Sequence, residues 1–121
     1  MRALNPLLLD TLRGLADGVL LFDEDANLLC ANRSFAEMNP GLVEFLTIGT
    51  PWDIILREAE NREVLPADIC KSLVVFEADL LSSPEDVHHV KFKNSLDRDY
   101  LIRMNASSDG GFIFIQSAIV N

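Results

Sequence analysis

Gly18-Val-Leu-Leu-Phe-Asp23, Leu28-Leu-Cys-Ala31 and Asn32-Arg33-Ser34-Phe35-Ala36-Glu37 form the stretch that decides the fold. The first two are short runs of strand formers, separated by Glu24-Asp25-Ala26-Asn27, which carries turn chemistry. Two such runs around a polar turn predict an antiparallel hairpin. Asn32 then stands where a helix would need a cap, and Phe35 and Met38, at i and i+3, share its buried side. Asn39-Pro40-Gly41 stops that helix.

Upstream, Asn5-Pro6 is a helix-start signal, and Leu8, Leu12 and Leu15 recur at i, i+4 and i+7 as one apolar stripe. Residues 1–17 are therefore expected as an N-terminal amphipathic helix, and 18–121 as the domain proper. Downstream, Leu42 to Leu46 supplies about one helical turn. Thr50-Pro51-Trp52-Asp53 reads as a Thr cap followed by Pro at the first helical position, with Trp52, Ile55, Leu56 and Ala59 on one face. A further helix over about 66–82 carries Ile69, Leu73, Phe76 and Leu80 on one stripe, until Ser82-Ser83-Pro84 ends it. The period then changes from 3.6 to 2. His88, Val90 and Phe92 alternate with His89, Lys91 and Lys93, and Tyr100, Ile102 and Met104 with Leu101, Arg103 and Asn105. After the turn Ser107 to Gly111, the strand from Phe112 to Val120 is apolar on both sides: Phe112 and Phe114 on one, Ile113, Ile115 and Ile119 on the other. An antiparallel sheet with two dry faces needs a cover on its outside.

Composition narrows the partners. The 121 residues hold 10 Lys+Arg and 19 Asp+Glu, a formal charge of −9, with 49% hydrophobic and 24% charged residues. That is one ordinary globular domain, long enough to bury roughly two-thirds of its unfolded surface. The basic residues are scattered, so a nucleic-acid backbone and an anionic membrane surface both lack a complementary face. No apolar run approaches the ~20 residues of a membrane span. Cys30 and Cys70 stand 40 positions apart without a cysteine framework. That pattern argues for reduced thiols and a cytoplasmic setting.

Two strands, several short helices and three strands, opening on a GV-x-x-FD…AN-x-x-FAE pattern, resemble a PAS domain over about residues 10 to 120. The helix after Pro66 lengthens the middle and resembles a bacterial sensor subgroup often attached to histidine kinases. The resemblance implies an α+β fold, a five-stranded antiparallel sheet in order 2-1-5-4-3 with helices over one face. It implies a sensory or relay module that binds small molecules between sheet and helices, or dimerises. Two departures stand out. The Asp-Ile-Thr exit triplet of the family is Ala118-Ile119-Val120 here, and the turn glycine of the first hairpin is Asn27, a residue that tolerates positive φ.

Catalytic motifs are missing: there is no G-x-S-x-G, P-loop, GxGxxG or HExxH. His88 and His89 are adjacent in a strand, so their side chains face opposite sides, His88 inward. Asp23-Glu24-Asp25 is a solvated turn rather than a calcium loop, and no metal site is expected. Light-sensing relatives carry an Asn-Cys-Arg motif on a middle helix, and haem-binding relatives a His there. Neither occurs between Asn32 and Val87, which argues against flavin photochemistry and His-ligated haem and leaves the cofactor unknown. Candidates for a ligand pocket are Phe35, Met38, Trp52, Ile55, His88, Phe92, Tyr100 and Met104, each of which also serves as ordinary core. Candidates for an interface, with a homodimer expected, are Leu8, Leu12, Leu15, Ile113, Ile115 and Ile119. The expected function is a non-enzymatic sensory or relay domain, the input of a histidine kinase or similar output domain. A ligand-free dimerisation scaffold and a small α+β enzyme are the alternatives.

Overall fold

A computed structural model describes residues 16–94 and 96–119. The expected N-terminal stripe of Leu8, Leu12 and Leu15, and Val120, lie outside the described residues. The elements run β1 (Gly18–Phe22), β2 (Leu28–Ala31), α1 (Arg33–Met38), a 3-10 helix (Pro40–Phe45), α2 (Trp52–Asn61), α3 (Ala67–Ser82), β3 (Val87–Lys93), β4 (Asp99–Ala106) and β5 (Phe112–Ala118). The five strands make one antiparallel sheet in the order β2-β1-β5-β4-β3. The first and last strands are therefore neighbours, with β5 between β1 and β4.

Register decides which side chains share a row. Phe22 lies opposite Phe112, and Leu20 opposite Phe114. Phe114 lies opposite Met104, which lies opposite His88. Gln116, Ile102 and Val90 form the next row, and Tyr100 and Phe92 the one beyond. These residues face the helices, whose buried side chains (Phe35, Trp52, Ile55, Leu56, Ala59, Ile69, Leu73 among them) join them in one core cluster. Each fully buried Leu or Phe there contributes roughly 1.5–3 kcal/mol against exposure. On the opposite face, Val19 pairs with Ile115 and Leu21 with Ile113. Ile113, Ile115 and Ile119 are half-buried there.

The Asn32 position holds the opening motif together. Its Oδ1 accepts from Phe35 N at 3.0 Å, capping α1, and from Val19 N at 2.8 Å. Its Nδ2 donates to Asp17 O at 2.8 Å. One buried amide thus anchors the start of β1 to the start of α1. A Cβ on Gly18 would stand 2.9 Å from Phe35 Cα, so glycine permits this close approach of strand and helix.

Two local expectations are corrected. Positive φ in the first turn belongs to Ala26 (φ 60), while Asn27 forms a bridge with Pro51. Asp23 Oδ1 accepts from Asp25 N and Asn27 N, and this wrap places the left-handed residue one position earlier. Thr50 does not cap α2; Pro51, extended at φ −66 and ψ 145, is the cap position and makes no side-chain cap bond. Thr50 O instead accepts from Leu28 N at 2.9 Å and Gly49 N donates to Leu28 O at 2.7 Å, so this segment covers the free edge of β2. Covered edges do not recruit stray strands.

Candidate functional site

The sequence-predicted pocket residues all reach the helix side of the sheet, in three groups. Trp52, at the first turn of α2, stands among Phe22 (5.1 Å between ring centroids), Phe112 (5.3 Å) and Phe114 (5.8 Å), and Phe35 meets Phe114 edge-on at 5.7 Å. Ile55 is buried behind Trp52 on the same helix face, and Met38 packs half-buried against the cluster. Met104 and His88 occupy the row beside Phe114, with the His88 ring stacked on Phe76 of α3 at 5.0 Å. Phe92 and Tyr100 stack on each other at 5.5 Å, but four residues along β4 from Met104, a span of roughly 13 Å. That last pair is separated from the Trp52 cluster.

Two further residues belong to this face: Asn39 and Gln116, 3% and 1% exposed. Asn39, just after α1, donates from Nδ2 to Phe35 O at 3.2 Å and to Gln116 Oε1 at 3.0 Å. Because Phe35 O can only accept, Asn39 must present its NH₂, and Gln116 must then turn its oxygen to Asn39. The Gln116 Nε2 is left buried without a partner, as are Trp52 Nε1 and His88 Nε2. Buried polar groups are nearly always paired, since desolvation without a bond costs about 1–3 kcal/mol each. Three such atoms on one inner face, two of them obligate N–H donors, are suited to meet an acceptor. Gln116 had a legible signal, the same parity as Phe112 and Phe114; Asn39 read only as a helix stop.

The cysteines divide between the faces. Cys30 lies opposite Leu21, away from the helix layer, and Cys70 is a free thiol buried in α3. Burial, with help from the Glu60 and Asp68 carboxylates, pushes the Cys70 thiol up to about 11, which makes it a core filler rather than a nucleophile. Among the described residues no cluster of His, Cys, Asp and Glu could hold a metal ion, and no helix is long and apolar enough to cross a membrane.

The sheet order and the helical layer are those of the PAS fold, and comparison with solved structures agrees. The PAS domain of BvgS from Bordetella pertussis superposes with a TM-score of 0.67 at 13% identity, over 95% of this chain and 85% of that one. The phage VqmA–DPO complex gives 0.62 at 13% identity, over 93% of this chain and 51% of that one. The photoactive yellow protein domain from the sensor histidine kinase Ppr of Rhodospirillum centenum gives 0.59 at 15% identity, over 89% and 90%. No family model and no curated protein sequence matches the chain.

Proposed function

We propose that this chain is a non-enzymatic sensory or relay domain whose inner sheet face receives a small, acceptor-bearing molecule. The observation that carries the reading is the pair of buried, unpartnered N–H donors, Trp52 Nε1 and Gln116 Nε2, on an inner face walled by Phe22, Phe35, Phe112 and Phe114. Aromatic walls with a few fixed donors are how sites for small neutral molecules are built. The sensory role draws on the neighbours, two of which come from a sensor kinase and from a complex with DPO by their descriptions. Binding would reorder the Asn39–Gln116 link. It would thereby bias how α1 sits on β5. The outer face around Ile113, Ile115 and Ile119 is the surface for a second copy, and a histidine kinase or similar module is the output.

The test is a thermal-shift screen of small carbonyl, amide and hydroxyl compounds on the wild-type domain and on Gln116→Leu. A compound that raises the wild-type melting point and loses that effect in the variant supports the reading. Stabilisation by no compound, together with a dimer that persists in sedimentation, returns the domain to a ligand-free scaffold.

A further inference from the structure

At one end of the sheet, away from the Asn39–Gln116 link, the β1–β2 turn, the β4–β5 turn and the C-terminal half of α3 enclose a groove of about 340 Å³. Its floor is apolar: Phe112 and Leu80, both buried, with Ala26 and Ala106. Leu81, 75% exposed, stands on its edge and is the most exposed large hydrophobic residue described. The rim is acidic, formed by Asp23, Glu24 and Asp25 from the turn and Glu77 from α3, and no basic residue among the described ones lines the groove. Asp23 is engaged by the turn amides. Glu77 is half-buried, and burial, with the Asp53 carboxylate nearby, pushes its carboxyl up from the ordinary value.

We infer that this groove is a second binding site, one that takes a small amphiphilic amine, its ammonium among the rim carboxylates and its hydrocarbon body on the Phe112–Leu80 floor. Charge complementarity sets the head group: four carboxylates with no cation among the described lining residues favour a positive group and repel an anion. The floor sets the rest. A hydrated metal ion gains nothing from apolar side chains, whereas a chain of about six carbons removes apolar surface from water there. An alkylammonium would also supply a countercharge to the half-buried Glu77 in a partly desolvated place. The groove shares Phe112 with the proposed inner-face site but contains neither Trp52 nor Gln116, so amine binding here does not depend on that reading.

The experiment is a titration of the folded domain with n-hexylamine, read by backbone amide shifts. Methylamine, n-hexanol and hexanoate serve as controls. Saturable shifts at Ala26, Leu81, Gly110 and Gly111 are expected with hexylamine and at least about tenfold weaker binding with each control, since each lacks either the charge or the apolar body. Glu77→Gln is expected to weaken hexylamine about fivefold, the scale of one partly screened ion pair. Leu81→Ser, on an exposed position that leaves the fold intact, is expected to narrow the gap between hexylamine and methylamine. Equal binding of hexanol or methylamine overturns the inference, as do shifts confined to other residues or an unaltered affinity in both variants.

Discussion

Asn39 Nδ2 donates to Gln116 Oε1 at 3.0 Å across 77 positions of sequence, joining the end of α1 to the central strand β5. Both side chains are buried, so the bond is exchanged for nothing when one partner is removed. It is a direct polar link, side chain to side chain, between the helical layer and the inner sheet face.

Asn39→Ala should therefore destabilise the domain by about 2 kcal/mol, since it deletes the bond to Phe35 O as well and leaves Gln116 Oε1 bare. Gln116→Leu should cost less, about 1 kcal/mol or under. It removes the orphaned Nε2 together with the acceptor, and Asn39 keeps Phe35 O. Urea unfolding of the two single variants and the double variant measures the coupling, expected at about 1 kcal/mol. Additivity within about 0.3 kcal/mol would mean that the two amides act independently.

Most of the fold was legible because it is written in local chemistry. The Asn32 cap, the Trp52-Ile55-Leu56-Ala59 face of α2 and the alternation in β3 and β4 each follow from spacing over a few residues. Boundaries and turn conformations were less so. Ala26 takes the left-handed conformation because the Asp23 carboxylate gathers two amides around it, a choice that single-residue preference assigns to Asn27. The candidate site was legible only by face. Parity places Met104, His88, Tyr100 and Phe92 inward, but the separation of the Phe92–Tyr100 pair from Trp52 depends on the β4–β5 and β3–β4 registers. Register in these hairpins follows the turn type and loop length together with the apolar pattern of both strands, which no single short window contains. The groove at the sheet end was least legible of all, because its walls come from three segments that only the strand order brings together.

Glycine substitutions should separate steric from conformational demands. A Cβ on Gly111 would stand 1.9 Å from Phe22 O, backbone of the neighbouring strand, so Gly111→Ala cannot be absorbed by a side-chain movement. Gly110, at φ 93, has room for a methyl group, 3.5 Å from Glu24 Cβ, and meets only the left-handed penalty of about 1–2 kcal/mol. Gly18→Ala falls between, pressing on Phe35 Cα at 2.9 Å with a cost of about 2 kcal/mol. The expected order of stability loss is Gly111 above Gly18 above or equal to Gly110, with Gly111→Ala exceeding about 3 kcal/mol. Melting curves of the three variants check it. A Gly111→Ala protein as stable as Gly110→Ala would show that the β1–β5 contact beside Phe22 is looser than its geometry.

Glu77 should give the domain a specific pH signature. Its carboxyl is held above the ordinary value of 4.5, first by burial and then by the Asp53 carboxylate. Asp23, Glu24 and Asp25 face the same groove from the turn, and no basic residue among the described lining residues offsets them. A raised folded value means that the folded state binds the proton more tightly than the unfolded chain does. The Glu77 contribution is therefore fully favourable below the ordinary value, and is lost as pH rises through the raised one. Glu77→Gln carries no charge at any pH, so it should match wild type at about pH 4 and exceed it at about pH 7.5. Since the other carboxylates titrate in both proteins, the quantity to measure is the difference between their denaturation free energies at the two pH values. A gap that grows with pH is the expected result. A gap that is constant would mean that Glu77 is solvated as an ordinary surface carboxylate, and a gap of opposite sign would mean that a cationic partner already holds it ionised.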